Sequence, residues 1–284
     1  MTDLPIERNF VDPDDTQVTF WEWPAAKPTG VIQLIHGLGE HARRYDEVAG
    51  VLNRAGWSVY AEDHRGHGKT GKWQLDNKKI ERLGQWGDGG LQSTIRAVAE
   101  LTNIIEQENP DKPIVVYGHS LGGIISQNLP VETLDKYSGM IQSGSTSMRL
   151  GKPAIGNFNK IWDKTPNPTG FEWLSRDSEV GAKFAADPLT FLARPLIQLG
   201  ITGSLYLTGK PNFPTSPYPA LIIMGELDAV GTISSNKQLV DDYQKAGFED
   251  LNLYVYDDGR HEMHNETNKE QVFEDVTSWL AERF

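Results

Sequence analysis

The sequence predicts an α/β fold built on a doubly wound, mostly parallel sheet. Three observations predict it. Short apolar runs rich in β-branched residues recur along the chain, and stretches with helical apolar spacing separate them. Most of these runs are continuously apolar, as strands covered on both faces are. Their C-terminal ends lead into loops that carry glycines and reactive polar side chains, where parallel sheets collect their chemistry.

The elements follow in order. Residues 17–23 (QVTFWEW) alternate polar and apolar, and with 7–11 and the turn-rich DPDD at 12–15 they predict a hairpin at a sheet edge. Residues 31–35 (VIQLI) read as the first buried strand and run into H-G-L-G-E-H at 36–41. A helix is expected over 45–54, with Gly56 suited to its end. Residues 57–61 form the next strand, followed by a loop, E-D-H-R-G-H-G-K-T-G, at 62–71. Leu91, Ile95, Val98, Leu101 and Ile105 share a helical face over 90–108, and Asn109-Pro110 ends that helix. A strand at 114–117, a helix to about Leu129 and a strand at 140–143 continue the alternation.

The rhythm then breaks. Between about Gly144 and Pro219 there are many prolines and no clear strand, so this stretch reads as an insertion with short helices near 172–175, 179–185 and 188–199. Strands at 220–225 and 251–256 and helices near 234–246 and 269–282 complete the sheet pattern. The expected division is a core of residues 1–144 and 218–284 with an inserted segment at 145–217.

Bulk properties bound the function. At 284 residues the chain can bury a large core, and 38% hydrophobic with 23% charged residues is ordinary for a soluble protein. A formal charge of -12 argues against nucleic acid or anionic membranes as partners. The absence of cysteine excludes disulfides, thiol catalysis and Cys-based zinc sites. The N-terminus lacks the basic and apolar regions of a signal peptide, and no apolar run approaches a membrane span, so a cytoplasmic location is expected.

The chemistry centres on G-H-S-L-G at 118–122, which sits between a predicted strand and a predicted helix. That is the context of a nucleophile elbow: glycines let strand and helix crowd a turn that exposes Ser120. A serine hydroxyl needs a positioned base, itself oriented by a third group. In elbow enzymes the order is serine, acid, histidine, with the acid after a late strand and the base after the last. Asp228, after 220–225, is the expected acid, with Glu226 as the alternative; His261, after 251–256, is the expected base. An oxyanion needs two N–H donors, expected from Leu121 and from Leu38 in the loop after the first buried strand. His64 and His67 raise a metal reading, but there is no H-x-x-x-H pair and no cysteine, so loop hydrogen bonding is preferred and no metal is expected.

With these residues in place, the chain resembles the α/β-hydrolase superfamily, and within it the monoacylglycerol lipase and lysophospholipase-like serine hydrolases. The matching stretches are HGLGEH at 36–41 with Arg44 and Tyr45, DHRGHG at 63–68, GHSLGG at 118–123, LSRD at 174–177 with DPL at 187–189, GELD at 225–228, and GRHE at 259–262 with Asn265 and Glu266. The resemblance implies an eight-stranded sheet flanked by helices, with the insertion as a helical cap (lid) forming an apolar acyl tunnel. Ile155, Phe158, Ile161, Trp162, Phe171, Trp173, Phe184 and Leu192 are candidates to line it or simply to pack the cap. The resemblance also suggests that Arg44 and His119 lie near the polar head of a substrate. The expected function is hydrolysis of a carboxylic ester through an acyl-enzyme, a monoacylglycerol or related small lipid ester, with no cofactor. The alternatives are an amidase, peptidase, lactonase or xenobiotic esterase with the same triad, and a non-catalytic binding protein of the same fold. The expected partners are a small-molecule ester or lipid, at most peripheral membrane contact through the cap, and no nucleic acid, in a monomer or homodimer.

Overall fold

The computed structural model describes residues 4–149, 157–162, 164 and 168–284. Eight strands form one sheet: β1 (Ile6–Val11), β2 (Gln17–Trp23), β3 (Gly30–Ile35), β4 (Trp57–Glu62), β5 (Ile114–His119), β6 (Gly139–Ser143), β7 (Ala220–Gly225) and β8 (Leu251–Tyr256). Their order across the sheet is β1-β2-β4-β3-β5-β6-β7-β8. The β1–β2 and β2–β4 pairs are antiparallel and every later pair is parallel, so the N-terminal hairpin caps one edge of a parallel sheet.

The continuous apolar runs follow from this arrangement. Val31, Ile35 and Val116 face a core shared with α3 (Gly90–Glu108) and α8 (Ile233–Lys245). Ile32, Leu34, Val115 and Tyr117 face the opposite core, beneath α1 (Asp46–Arg54) and α9 (Lys269–Ala281). Neighbouring residues on one strand thus enter different cores, and no position is left for a polar alternation.

Three expectations are corrected. The loop expected over 62–71 turns at Gly68 into α2 (Gly68–Asp76). Its N-terminal turn is closed from outside, the Lys69 N–H donating to Asp63 at 2.8 Å, so no local capping pattern announces it. Residues 172–175 form turns, not a helix. The helix expected at 188–199 begins seven residues later, as α7 (Pro195–Tyr206), with proline in its first turn and a break at Gly200, where φ is 61°.

Residues 188–194 instead run without regular structure against the core. The helix after β5 is short, α4 (Leu121–Ser126), and α5 (Val131–Leu134) is a single turn. In the insertion, α6 (Ser178–Ala186) matches its expected position and is capped by the Asp177 carboxylate accepting the Glu179 N–H. Ile155 lies outside the described residues. No helix among the described residues is long and apolar enough to cross a membrane.

Candidate active site

Ser120 occupies the turn between β5 and α4 with φ 53° and ψ -119°, a conformation that non-glycine residues rarely hold. Such a residue costs on the order of 1–3 kcal/mol and persists only where its surroundings enforce it. Here the Ser120 N–H donates to the Ser143 carbonyl at 2.9 Å, and the Ser145 hydroxyl donates to the Ser120 carbonyl at 3.3 Å. The flanking glycines are required by close approach. A Cβ on Gly122 would lie 1.9 Å from the Ile35 carbonyl oxygen, and one on Gly118 would lie 2.7 Å from the Gly123 Cα.

The other two members of the expected triad meet at the same end of the sheet. Asp228 follows β7, His261 follows β8, and the two loops are joined by the Leu227 N–H donating to the Gly259 carbonyl at 2.8 Å. Asp228 Oδ1 lies 2.9 Å from His261 Nδ1 and also accepts the N–H groups of Val230 (2.7 Å) and Gly231 (3.1 Å). A carboxylate oxygen only accepts, so Nδ1 carries the proton and Nε2 is left as the basic nitrogen. Burial works against the charged form of His261, but the adjacent Asp228 charge and its hydrogen bond outweigh it, and the pKa is raised. Glu226 is exposed and accepts the Asp258 N–H at 3.2 Å, so geometry favours Asp228 over this alternative.

The neighbouring histidines are differently disposed. His119 and His264 pack edge to face at 4.9 Å, and His119 also lies 4.8 Å from the His261 ring. Burial, reinforced by nearby histidine charge, holds His119 well below the ordinary range and His264 at about 3. Both are therefore neutral at pH 7, beside His261, which the Asp228 carboxylate supports.

Leu38 and Leu121, the expected oxyanion donors, border the same cavity as Ser120. Among the described residues neither backbone N–H has a hydrogen-bond acceptor. The cavity wall is apolar: Ile124, Met148, Phe158, Trp173, Pro195, Leu196, Leu199 and Val230 contribute, with Arg149, Ser204 and Thr208. Arg149 is the one charged residue on that wall among the described residues, and it is paired with Asp242.

Arg44 and His119 are not brought to this cavity, against the sequence-based expectation. Arg44 lies between two buried carboxylates, its Nη1 2.6 Å from both Glu40 and Glu262, and its guanidinium rests 4.6 Å over the Phe184 ring. His119 is buried against His261, with Nδ1 3.4 Å from the Ser143 hydroxyl. Of the expected tunnel residues, Phe158 and Trp173 line the cavity, while Phe171 and Phe184 pack into a small core with Trp173. Ile161 and Leu192 are exposed and do not border the cavity.

Sequence reasoning missed the ties between the inserted segment and the site. The Trp173 ring lies 4.8 Å from His261, and the Glu262 N–H donates to the Leu174 carbonyl at 2.7 Å. The Phe191 N–H donates to the Gly39 carbonyl at 2.9 Å, and His41 pairs with Asp187 at 2.9 Å. The two backbone bonds leave no pattern in side-chain identity, and the two side-chain contacts join residues far apart in the sequence.

Comparison with known proteins gives a consistent picture. A family model described as serine aminopeptidase, S33, matches residues 26–268. The chain is 31% identical to a monoacylglycerol lipase of Mycolicibacterium smegmatis, over 97% of this chain and 96% of that one. It is 27% identical to mouse monoglyceride lipase, over 93% of this chain and 86% of the relative. Among solved structures, a highly thermostable carboxyl esterase from Bacillus coagulans in complex with glycerol superposes with a TM-score of 0.81 at 26% identity, covering 99% of each chain.

Proposed function

The chain belongs to the α/β-hydrolase family of monoacylglycerol lipase-like serine hydrolases, and from that premise we propose that it cleaves a monoacylglycerol or a related small lipid ester. The observation that carries the substrate class is the wall of the cavity holding Ser120. It is apolar, and no carboxylate lines it among the described residues. An aminopeptidase must hold the α-ammonium group of its substrate, which calls for an acidic side chain beside the nucleophile. An acyl chain asks only for apolar surface.

In this reading Ser120 Oγ attacks the acyl carbonyl carbon while His261 Nε2 takes the hydroxyl proton. Asp228 holds the Nδ1 proton and stabilises the imidazolium. The N–H groups of Leu38 and Leu121 bind the oxyanion. Collapse expels the alcohol, protonated by His261, and leaves an acyl-Ser120 ester. Water, activated by the same imidazole, then releases the carboxylic acid and restores the serine. The chemistry needs no cofactor.

Residues 145–217 act as a cap over this site. Their contribution of Phe158, Trp173, Pro195, Leu196 and Leu199 to the cavity wall supports this. The outer face of α7 meets a lipid surface. Ile197, Ile201 and Leu205 are 56–81% exposed, and Pro195, Leu196 and Leu199 of the same helix border the cavity, so a lipid leaving a neutral bilayer there passes directly toward Ser120.

The test is a panel of 4-nitrophenyl esters of increasing chain length, monoacylglycerols and aminoacyl anilides, assayed alongside Ser120→Ala. Ester turnover that disappears in the variant supports the proposal. Faster turnover of anilides moves the reading to an amidase or peptidase, and activity surviving Ser120→Ala overturns the mechanism.

A further inference from the structure

His36 follows β3 and is fully buried, and the mechanism above gives it no part. Its ring nitrogens are nevertheless both engaged, in a way that fixes their roles. The His64 backbone N–H donates to His36 Nε2 at 3.0 Å, so Nε2 is an acceptor. In a neutral imidazole the proton then sits on Nδ1. Nδ1 lies 2.7 Å from the Gly37 carbonyl oxygen and donates to it. Burial and the neighbouring His64 keep His36 well below its ordinary pKa, which preserves the neutral, directional ring.

The Gly37 carbonyl belongs to the same peptide unit as the Leu38 N–H. No peptide bond among the described residues is cis, and in a planar trans peptide the C=O and N–H point in opposite directions. Holding the oxygen on one side therefore aims the Leu38 N–H to the other side. The loop is held on its other flank as well, because the Gly37 N–H donates to Glu40 Oε1 at 2.7 Å. Glu40 is itself fixed by the Tyr45 hydroxyl at 2.8 Å and by Arg44 at 2.6 Å. Gly37 is also the residue against Ser120: a Cβ built on it would lie 3.1 Å from the Ser120 Cβ. A glycine at this point gives the following peptide little intrinsic resistance to rotation, so its orientation depends on these bonds.

We propose that His36 is a positioning residue that locks the Gly37–Leu38 peptide through Nδ1–H···O=C, so that the Leu38 N–H is aimed at the developing oxyanion. This rests on the serine hydrolase reading of the site. The His64 N–H sets the tautomer, His36 sets the peptide plane, and the peptide supplies the donor.

The test compares His36→Asn with His36→Gln. The asparagine amide nitrogen overlies Nδ1 and can still donate to Gly37. The glutamine amide nitrogen overlies Nε2 and cannot, although it adds the same polar group to the same cavity. On a soluble 4-nitrophenyl ester, with active sites counted by fluorophosphonate titration, His36→Gln should lower kcat by roughly 100-fold, the loss typical of one oxyanion donor, with KM within about threefold. His36→Asn should recover about tenfold or more of that loss. Affinity for a trifluoromethyl ketone, which forms an oxyanion on the enzyme, should fall in step with kcat/KM.

Equal losses in the two variants, or a loss confined to KM, would overturn the proposal. If neither variant folds, the wild-type tautomer decides: nitrogen NMR of His36 should show the proton on Nδ1, and a proton on Nε2 overturns the assignment. Ser120→Ala separates the two levels of inference. Residual turnover in that variant sinks the serine hydrolase reading, whereas an inactive Ser120→Ala beside a fully active His36→Gln sinks only the role of His36.

Discussion

Arg44 grips Glu262 with both terminal guanidinium nitrogens, at 2.6 and 2.8 Å, one residue beyond His261. The same Arg44 Nη1 also lies 2.6 Å from Glu40, whose other oxygen holds the Gly37 N–H. One buried cation thus joins the loop that carries Leu38 to the loop that carries His261. Burial alone would raise the Glu262 pKa, but the Arg44 charge and hydrogen bonds hold it far below the ordinary carboxylate range.

Arg44→Ala should therefore be costly, because it strands two carboxylates away from water. Breaking a buried pair on one side costs about 3–5 kcal/mol. The sign of its pH dependence follows from Glu262. In the wild type the folded pKa is depressed, so this group contributes stability above its unfolded value, lost only as pH falls through the folded one. In Arg44→Ala burial loses its main opponent, with only the Asn265 amide among the described residues still donating to Glu262 at 2.7 Å, and the folded pKa rises above the unfolded value. The stability deficit of the variant should thus be largest at pH 8 and shrink as pH falls toward the ordinary glutamate range. Denaturant melts at several pH values would show this, and a deficit that does not change with pH would refute it.

In the proposed mechanism Asp228 and His261 set the pH profile of activity. The base must be neutral to take the serine proton, and its pKa is raised by Asp228, so the acidic limb of kcat/KM should lie above the ordinary histidine value of 6.5. Asp228→Asn removes the charge and misdirects the ring proton. It should move that limb to lower pH and reduce kcat by about 10⁴-fold. An unchanged limb in the variant would show that another group titrates.

Much of this is legible in the sequence. The strand runs, the elbow glycines and the positions of Asp228 and His261 after β7 and β8 are local signals, because each depends on residues within a few positions of one another. What is not legible is long-range. The start of α7 depends on how residues 188–194 lie against Gly39, about 150 positions earlier in the chain. The resemblance places Arg44 near a substrate, yet two carboxylates take it, Glu40 four residues away and Glu262 218 residues away. No spacing rule reports a partner at that separation.

The elbow should tolerate no side chain at Gly122. Its Cβ would meet the Ile35 carbonyl at 1.9 Å and the His36 carbonyl at 2.7 Å, both backbone atoms at the end of β3 that cannot swing aside. Gly122→Ala should cost about 1–3 kcal/mol or more in stability from overpacking alone. The displaced helix would also carry the Leu121 N–H away from the oxyanion, so activity should fall further than stability. A variant with wild-type kcat would mean that α4 can shift without disturbing Ser120.

The outer face of α7 gives the last prediction. Ile201 is 81% exposed and sits just past the break at Gly200, on the helix whose inner side borders the cavity. Ile201→Asp places a charge where the proposed lipid contact occurs, and among the described residues that side chain belongs to no hydrophobic core. Losing the transfer energy of one large aliphatic side chain, roughly 1.5–3 kcal/mol, corresponds to about a tenfold or greater loss of affinity for a neutral phosphatidylcholine vesicle. Turnover of a monoacylglycerol presented in such vesicles should fall accordingly, and turnover of a short, soluble 4-nitrophenyl ester should not change. Equal loss on both substrates would instead assign α7 to the cavity itself. No loss on either would leave the lipid to reach Ser120 from water.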